Sequence, residues 1–258
     1  MKEKSEFNKI LFWYGISAIF YVFVVVFAFN HPIFFSNLTN EDGLIETTGT
    51  IGFLLASILF TVFTIKSKEL REQKKGAYFF IICWALVAFI AFGEEISWGQ
   101  RIFNVQLPEQ YQVKEFRHFE GPMQNVQNET NIHNMGFFES SFIAKRFQSL
   151  LQMLPFFLLP LLTLIKKVRV FFHKIYLPIP SLQLIMWGAG SWFIGKTFRF
   201  FPSLIEGTFD YNRFNEFTEA TIGISFMLFS IECLIHSTDF FKYRYKKQQA
   251  VESKVLVK

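Results

Sequence analysis

Six long apolar stretches are the feature that most limits how this chain can fold. A helix needs about 20 mostly apolar residues to cross the hydrocarbon core of a bilayer, and within lipid only a helix satisfies every backbone polar group of a single segment. The expected fold is therefore all-α, a six-transmembrane-helix bundle that forms a single integral membrane domain over residues 1–258. The predicted spans are 10–29, 45–65, 77–98, 147–165, 179–201 and 214–237.

The composition supports this class and argues against others. Charged residues make up 18% of the chain and hydrophobic residues 51%, whereas a soluble domain carries about 25% charged residues. The net charge is +5, but no RNP-like, zinc-finger or phosphate-loop pattern accompanies it, so a nucleic-acid partner is not expected. Cys83 and Cys233 both lie in apolar stretches, which predicts free thiols and no disulfide framework.

Lysine and arginine are concentrated in alternate connections between the spans. The N-terminus, the loops 66–76 and 166–174 and the tail 238–258 together contain 18 of the 26 basic residues. Because positively charged loops stay on the cytoplasmic side, both termini are expected inside the cell. The 48-residue connection 99–146 then becomes a long outward-facing loop between the third and fourth spans, and loops of this length are usually functional or disordered. The expected location is the bacterial inner membrane, in multi-pass form.

Two features of the spans predict how they pack. Two spans contain rows of small residues at helical spacing, namely Thr48, Gly52 and Ala56 in the second span and Ser191 and Gly195 in the fifth. Such rows allow helix backbones to approach closely in lipid. Pro155 and Pro160 are expected to bend the fourth span or to break its regularity.

The third span ends in a polar sequence, "FGEEISWGQRIF", at residues 92–103. Glu94 and Glu95 are expected about 26 Å from the cytoplasmic start of this span, near the outer edge of the hydrocarbon. If the helix continues, Glu94, Ser97 and Arg101 share one face. Ionisable groups in spans usually face a partner or a cavity, which raises the question of what this helix end contacts.

Further charged residues are predicted at the same depth, on three other spans. They are Glu46 in the second span, Lys196 and Arg199 in the fifth, and Arg213, Glu216 and Glu219 in the sixth. His133 lies between Asn131 and Asn134 in the amide-rich loop sequence "NVQNETNIHN", from which it can fold back over the carboxylates. The pattern therefore predicts a polar cavity that faces outward.

The motif "GEEISWGQRIF", followed by "ETNIHN" and by "RFNEFTEA", resembles a family of poorly characterised bacterial multi-pass membrane proteins. The resemblance covers residues 90–135 well and 210–222 more loosely, and it implies a site but no particular reaction. The residues that it implies are Glu94, Glu95, Ser97, Trp98, Gln100, Arg101, Glu129, Asn131, His133 and Asn134.

A more distant similarity is to membrane-embedded proteases of the CAAX-processing type. In those proteases two glutamates are followed, after three residues, by an arginine, whose place is taken here by Gly99. Their later intramembrane histidine motifs have no counterpart, so we do not assign the chain to them.

The predicted site favours a metal-assisted enzyme, a hydrolase or transferase that acts on a membrane lipid or a lipid-linked substrate. The predicted catalytic residues are Glu94, Glu95, His133 and Glu216; the predicted substrate-binding residues are Ser97, Gln100, Arg101, Asn131, Asn134, Lys196, Arg199 and Glu219. A divalent metal ion is the candidate cofactor, with Glu94, Glu95 and His133 as its ligands. The alternatives are a non-catalytic assembly or immunity factor and, third, a transporter, for which the sequence shows neither an internal repeat nor a polar path through the inner halves of the spans.

Overall fold

The computed structural model of the protein describes residues 2–40, 43–67, 71–72, 74–113, 123–125, 128–132, 135–137, 153–201 and 212–235. In these ranges the chain is helical, with two isolated β-bridges and no β-strand. The α-helices are α1 (Lys2–Asn30), α2 (Pro32–Leu38), α3 (Leu44–Lys66), α4 (Lys75–Glu95), α5 (Gln100–Phe103), α6 (Leu159–Leu162), α7 (Lys166–Lys174), α8 (Ile185–Phe200) and α9 (Asn212–Ile235).

Four of these helices are long and apolar enough to cross a membrane. The qualifying segments are Leu11–Asn30, Leu44–Lys66, Lys75–Glu95 and Arg213–Ile235. Large apolar side chains are exposed along them; Ile19 and Phe23, for example, are 72% and 62% exposed. Such exposure is expected for surfaces that face lipid and is unusual in a soluble protein. The all-helical fold and the membrane class are thus confirmed, whereas the count of six spans stays a prediction.

The fourth and fifth predicted spans depart from regular long helices. Over Leu154–Leu158 the fourth span is a π-helix that contains Pro155, and α6 begins one residue before Pro160. This irregularity is the one expected from the two prolines, because neither supplies a backbone N–H for a regular ladder. The fifth span is α-helical over 16 residues, Ile185–Phe200, after a short 3₁₀ turn.

The closest helix pair in the described part is α3 with α9, whose backbones touch through small residues. A Cβ atom built on Gly223 would lie 2.2 Å from the carbonyl oxygen of Gly49, and one built on Gly52 would lie 2.6 Å from the carbonyl carbon of Gly223. Below this contact the aromatic rings of Phe60 and Phe229 pack edge to face, with centroids 5.4 Å apart. This pairing matters for function because it sets the outer ends of α3 and α9 side by side.

Hydroxyl groups join α8 to α9. The Thr221 hydroxyl lies 2.6 Å from the Ser191 hydroxyl, and the Thr218 hydroxyl lies 3.1 Å from the Ser191 carbonyl oxygen. Both threonines also donate to carbonyls of their own helix, four residues earlier. Since buried hydroxyls need hydrogen-bond partners, these contacts explain why polar residues are tolerated between two helices.

At the opposite end of α9, Glu232 holds the start of the fifth span. Its carboxylate accepts hydrogen bonds from the Ser181 hydroxyl at 2.6 Å and from the Ser181 backbone N–H at 3.1 Å. A carboxylate at a helix N-terminus satisfies donors that have no partner within the helix. Glu232 therefore has a structural role, as its position near the inner interface predicts.

Cys83 and Cys233 are both free thiols in the structure, as the sequence predicts. Cys233 is buried in the core cluster that contains Phe60 and Phe229.

The six-span topology is testable with reporter fusions. A reporter placed after Asn125 should report the outer side, and reporters placed after Glu72 and after Lys174 should both report the cytoplasm, because lysine and arginine are concentrated in the latter two connections. Paired fusions to alkaline phosphatase and to a fluorescent protein measure the side directly. Agreement between the Asn125 and Glu72 fusions would contradict the topology.

Candidate functional site

The third predicted span ends earlier than the sequence indicates. Helix α4 ends at Glu95, and Ser97, Trp98 and Gly99 have φ values of 47°, 51° and 82°. These values lie in the left-handed region, which terminates a right-handed helix. The prediction of a helix to residue 98, with Glu94, Ser97 and Arg101 on one continuous face, is therefore wrong.

The turn after α4 folds Trp98 back onto the helix. Its indole packs over Gly93, where an added Cβ would lie 2.8 Å from the ring. The Trp98 indole N–H donates a hydrogen bond to Glu94 Oε1 at 2.6 Å. A glycine at position 93 is thus required by the close approach of the ring, and Glu94 is oriented by the turn that follows it.

The loop segment 128–132, "NETNI", lies against this turn. The backbone N–H of Ile132 donates to Glu94 Oε2 at 2.6 Å, and that of Thr130 donates to Gln100 Oε1 at 2.6 Å. The Thr130 hydroxyl donates to the Ser97 carbonyl oxygen. The two parts of the sequence motif, about thirty residues apart, are therefore in direct contact in the fold.

Side chains complete the contact between the two segments. The Ser97 hydroxyl, which is fully buried, donates to Glu129 Oε2 at 3.1 Å. The Gln100 amide donates to the Asn128 carbonyl oxygen at 3.1 Å. Ser97 and Gln100, predicted to bind substrate, thus have structural partners in the loop.

Asn125 organises the loop from within and was not singled out by the sequence. It is 1% exposed, and its amide nitrogen lies 2.8 Å from the Asn131 carbonyl oxygen and 3.0 Å from Asn131 Oδ1. Its Oδ1 accepts a hydrogen bond from the backbone N–H of Glu129 at 3.1 Å. Asn131, itself 4% exposed, also donates to Glu129. The amide-rich composition of this segment was the available signal, and it indicates a hydrogen-bonded loop.

Glu95 belongs to a different group of residues, a carboxylate cluster at the outer ends of three helices. Glu219 of α9 interacts electrostatically with Glu95 of α4, with Glu216 one turn earlier and with Glu46 of α3. Four carboxylates at one place repel each other unless protons or positive charges are shared among them. The predicted gathering of Glu95, Glu216 and Glu219 is thus observed, and Glu46 joins them.

The two adjacent glutamates therefore have different surroundings. Successive residues on a helix point about 100° apart, so the carboxylate of Glu94 contacts the loop whereas that of Glu95 acts on the cluster. The sequence predicted the same catalytic role for both. Their separation indicates that Glu94 positions the loop and Glu95 is available for chemistry.

A pocket opens beside the carboxylate cluster, between α8 and α9. It has an empty volume of about 260 Å³, including space open to solvent, and is lined by Trp192, Gly195, Lys196, Asn215, Thr218 and Glu219. The Lys196 ammonium lies 5.6 Å from the centre of the Trp192 ring, a cation–π distance. Lys196 and Glu219, both predicted to bind substrate, are therefore walls of one cavity.

Arg213 is directed to another part of the structure. Its guanidinium lies 3.5 Å from the carbonyl oxygen of Thr39, at the C-terminal end of α2. Positive charge at a helix C-terminus is stabilising. Arg213 thus ties α9 to the connection between the first two spans.

Several predicted site residues lie outside the described part of the chain. His133 and Asn134 are among them, and the side chains of Arg101 and Arg199 are as well. Within the described residues, no group of three or more His, Cys, Asp or Glu side chains is arranged to hold a metal ion. The metal site of Glu94, Glu95 and His133 therefore stays a prediction.

Comparison with known proteins adds no relative to this picture. No protein-family model matches the chain, and neither a curated protein nor a solved structure shows significant similarity to it.

Proposed function

We propose that the chain is a six-span membrane enzyme with cytoplasmic termini, and that its outer end binds and transforms a lipid or a lipid-linked substrate. The observation that carries the proposal is the convergence of Glu46, Glu95, Glu216 and Glu219 from three helices, next to a pocket that contains Lys196. Carboxylates are costly at this depth unless they are used or compensated. Their concentration at one end of the bundle therefore favours a working site.

The chemistry best supported by these residues is proton transfer. Carboxylates that interact with one another differ in proton affinity, so that one can act as general base while a neighbour acts as general acid. Glu95, Glu216 and Glu219 are the candidates for these roles. Hydrolysis or group transfer at an ester or phosphoester bond requires this pair of functions.

The remaining predicted residues supply binding and positioning. Lys196, with Arg199 and Arg101, would hold an anionic group of the substrate. Glu94 and the loop that it anchors would bring His133 to the site, as a further acid or as the third ligand of a divalent cation. Water and substrate would then be enclosed between the loop and the outer ends of the helices.

A non-catalytic role, as an assembly or immunity factor, is favoured by one observation. The hydrogen bonds between residues 97–100 and 128–132 give the outer face a defined shape that needs no substrate. A transporter is less supported, because Thr218 and Thr221 on the inner side of the cluster donate to carbonyls of their own helix.

Comparative lipid analysis tests the enzyme proposal. Cells that produce the wild-type protein should differ from vector controls in at least one lipid or lipid-linked species. Glu95→Gln and Glu219→Gln should restore the control profile, because loss of a general acid or base lowers the rate by about 10²–10⁴-fold. Mass spectrometry of extracted lipids, at matched protein levels, measures this change.

Glu109→Gln provides the matched control, since Glu109 is an exposed glutamate of the same outer loop. This variant should retain the wild-type lipid profile. If wild type, Glu95→Gln and vector control give the same lipid profile, the enzyme proposal is wrong and the non-catalytic role is favoured.

A further inference from the structure

The pocket between α8 and α9 has opposite charges on its two walls. Lys196 projects from α8, and Glu219 projects from α9. We propose that this pocket binds a phosphate ester that carries a primary ammonium group, as in the headgroup of phosphatidylethanolamine. The proposal rests on the proposed function, because Glu219 belongs to both, and it names the class of substrate that the site takes.

The wall formed by α8 is suited to the phosphate. The Lys196 ammonium supplies positive charge, held over the Trp192 ring. The indole N–H of Trp192 is buried and has no hydrogen-bond partner among the described residues. A buried donor without a partner costs free energy, and a phosphate oxygen in the pocket would satisfy it.

The wall formed by α9 is suited to the ammonium group. Glu219 interacts with the three other carboxylates of the cluster, so a positive charge placed beside it reduces the repulsion among all four. A primary ammonium adds three hydrogen-bond donors, for which the Glu219 carboxylate and the Asn215 side-chain oxygen are suitable acceptors. An anion without an ammonium group would leave the repulsion in place.

The depth of the pocket fits a lipid headgroup. Lys196 lies four residues before the end of α8, and Glu219 lies seven residues after the start of α9. At 1.5 Å per residue these positions are about 6 Å and about 10 Å below the outer ends of their helices. This is the boundary between headgroups and acyl chains, where the exposed side chains of Phe193 and Phe200 can contact lipid tails.

The proposal predicts an order of affinity among phospholipids. Phosphatidylethanolamine supplies both charges and should bind best. Phosphatidylcholine has three methyl groups in place of the N–H donors, and phosphatidylglycerol has no positive charge. Since a hydrogen bond to a charged group contributes a factor of about ten or more, each of these lipids should bind about tenfold more weakly.

Native mass spectrometry of the purified full-length protein, with the three lipids in turn, measures these affinities. Lys196→Met and Glu219→Gln should each weaken phosphatidylethanolamine binding about tenfold. Glu219→Gln should also reduce the preference for phosphatidylethanolamine over phosphatidylglycerol. Lys166→Met, at the other end of the bundle by the predicted topology, should bind the lipid as the wild type does.

Soluble phosphoethanolamine, added as a separate arm, distinguishes the source of the ligand. Binding that depends on Lys196 and Glu219 supports the same ligand chemistry from a soluble molecule. Equal affinity for the three lipids, or a Lys196→Met variant that binds like Lys166→Met, overturns the proposal. These results are independent of turnover: a Glu95→Gln variant that loses the lipid change while binding fails in the wild type would leave the enzyme proposal standing and remove this ligand.

Discussion

Replacement of Gly223 by leucine should eliminate most of the folded protein. A Cβ at this position would lie 2.2 Å from the carbonyl oxygen of Gly49, and the obstructing atom is backbone, which cannot rotate away. Helices α3 and α9 would have to separate, with loss of the packing around Phe60 and Phe229. Overpacking costs about 1–3 kcal/mol in a core that can adjust, and we expect more here. Size-exclusion chromatography in detergent and thermal unfolding measure the loss.

Gly15→Leu is the matched control for this substitution. Gly15 also lies in a membrane-spanning helix, but a Cβ there meets no atom within 4 Å. This variant should give a normal yield of monodisperse protein, and a small gain in helix propensity accompanies the loss of glycine. If Gly223→Leu and Gly15→Leu unfold at the same temperature, the close approach of α3 and α9 is wrong.

The sequence predicted the helices well because apolar length is a property of each segment alone. It predicted their neighbours less well. The small-residue row in the second span was placed at Thr48, Gly52 and Ala56, yet Thr48 is exposed and Gly49 makes the backbone contact. Which face of a helix is buried depends on the partner helix, and a single apolar sequence in lipid does not identify that partner.

The candidate site shows the same division. Glu95, Glu216 and Glu219 could be grouped from sequence, because helix rise and the charge bias of the loops fix their depth. The end of α4 could not, because Ser97 and Trp98 adopt positive φ without being glycine. That conformation is unfavourable in isolation and persists only when surrounding contacts support it. The supporting contacts come from residues 128–132, far along the chain.

Glu94→Gln should release the 128–132 segment from the end of α4. The two oxygens of Glu94 accept hydrogen bonds from the Trp98 indole N–H and the Ile132 backbone N–H. Glutamine replaces one acceptor by an NH₂ group, which cannot accept, and removes the charge that strengthens both bonds. A hydrogen bond to a charged group contributes about 1.5–3 kcal/mol, so local opening should increase roughly ten- to a hundredfold.

Hydrogen–deuterium exchange of the peptide that covers residues 128–132 measures this opening. The amides of Ile132 and Thr130 should exchange faster in Glu94→Gln than in the wild type, since both donate to the end of α4. Glu232→Gln is the control, because Glu232 accepts hydrogen bonds from Ser181 instead. That variant should increase exchange near Ser181 and leave residues 128–132 protected. Unchanged protection of 128–132 in Glu94→Gln would show that Glu94 does not anchor the loop, and the catalytic role predicted for it from sequence would then be the one to test.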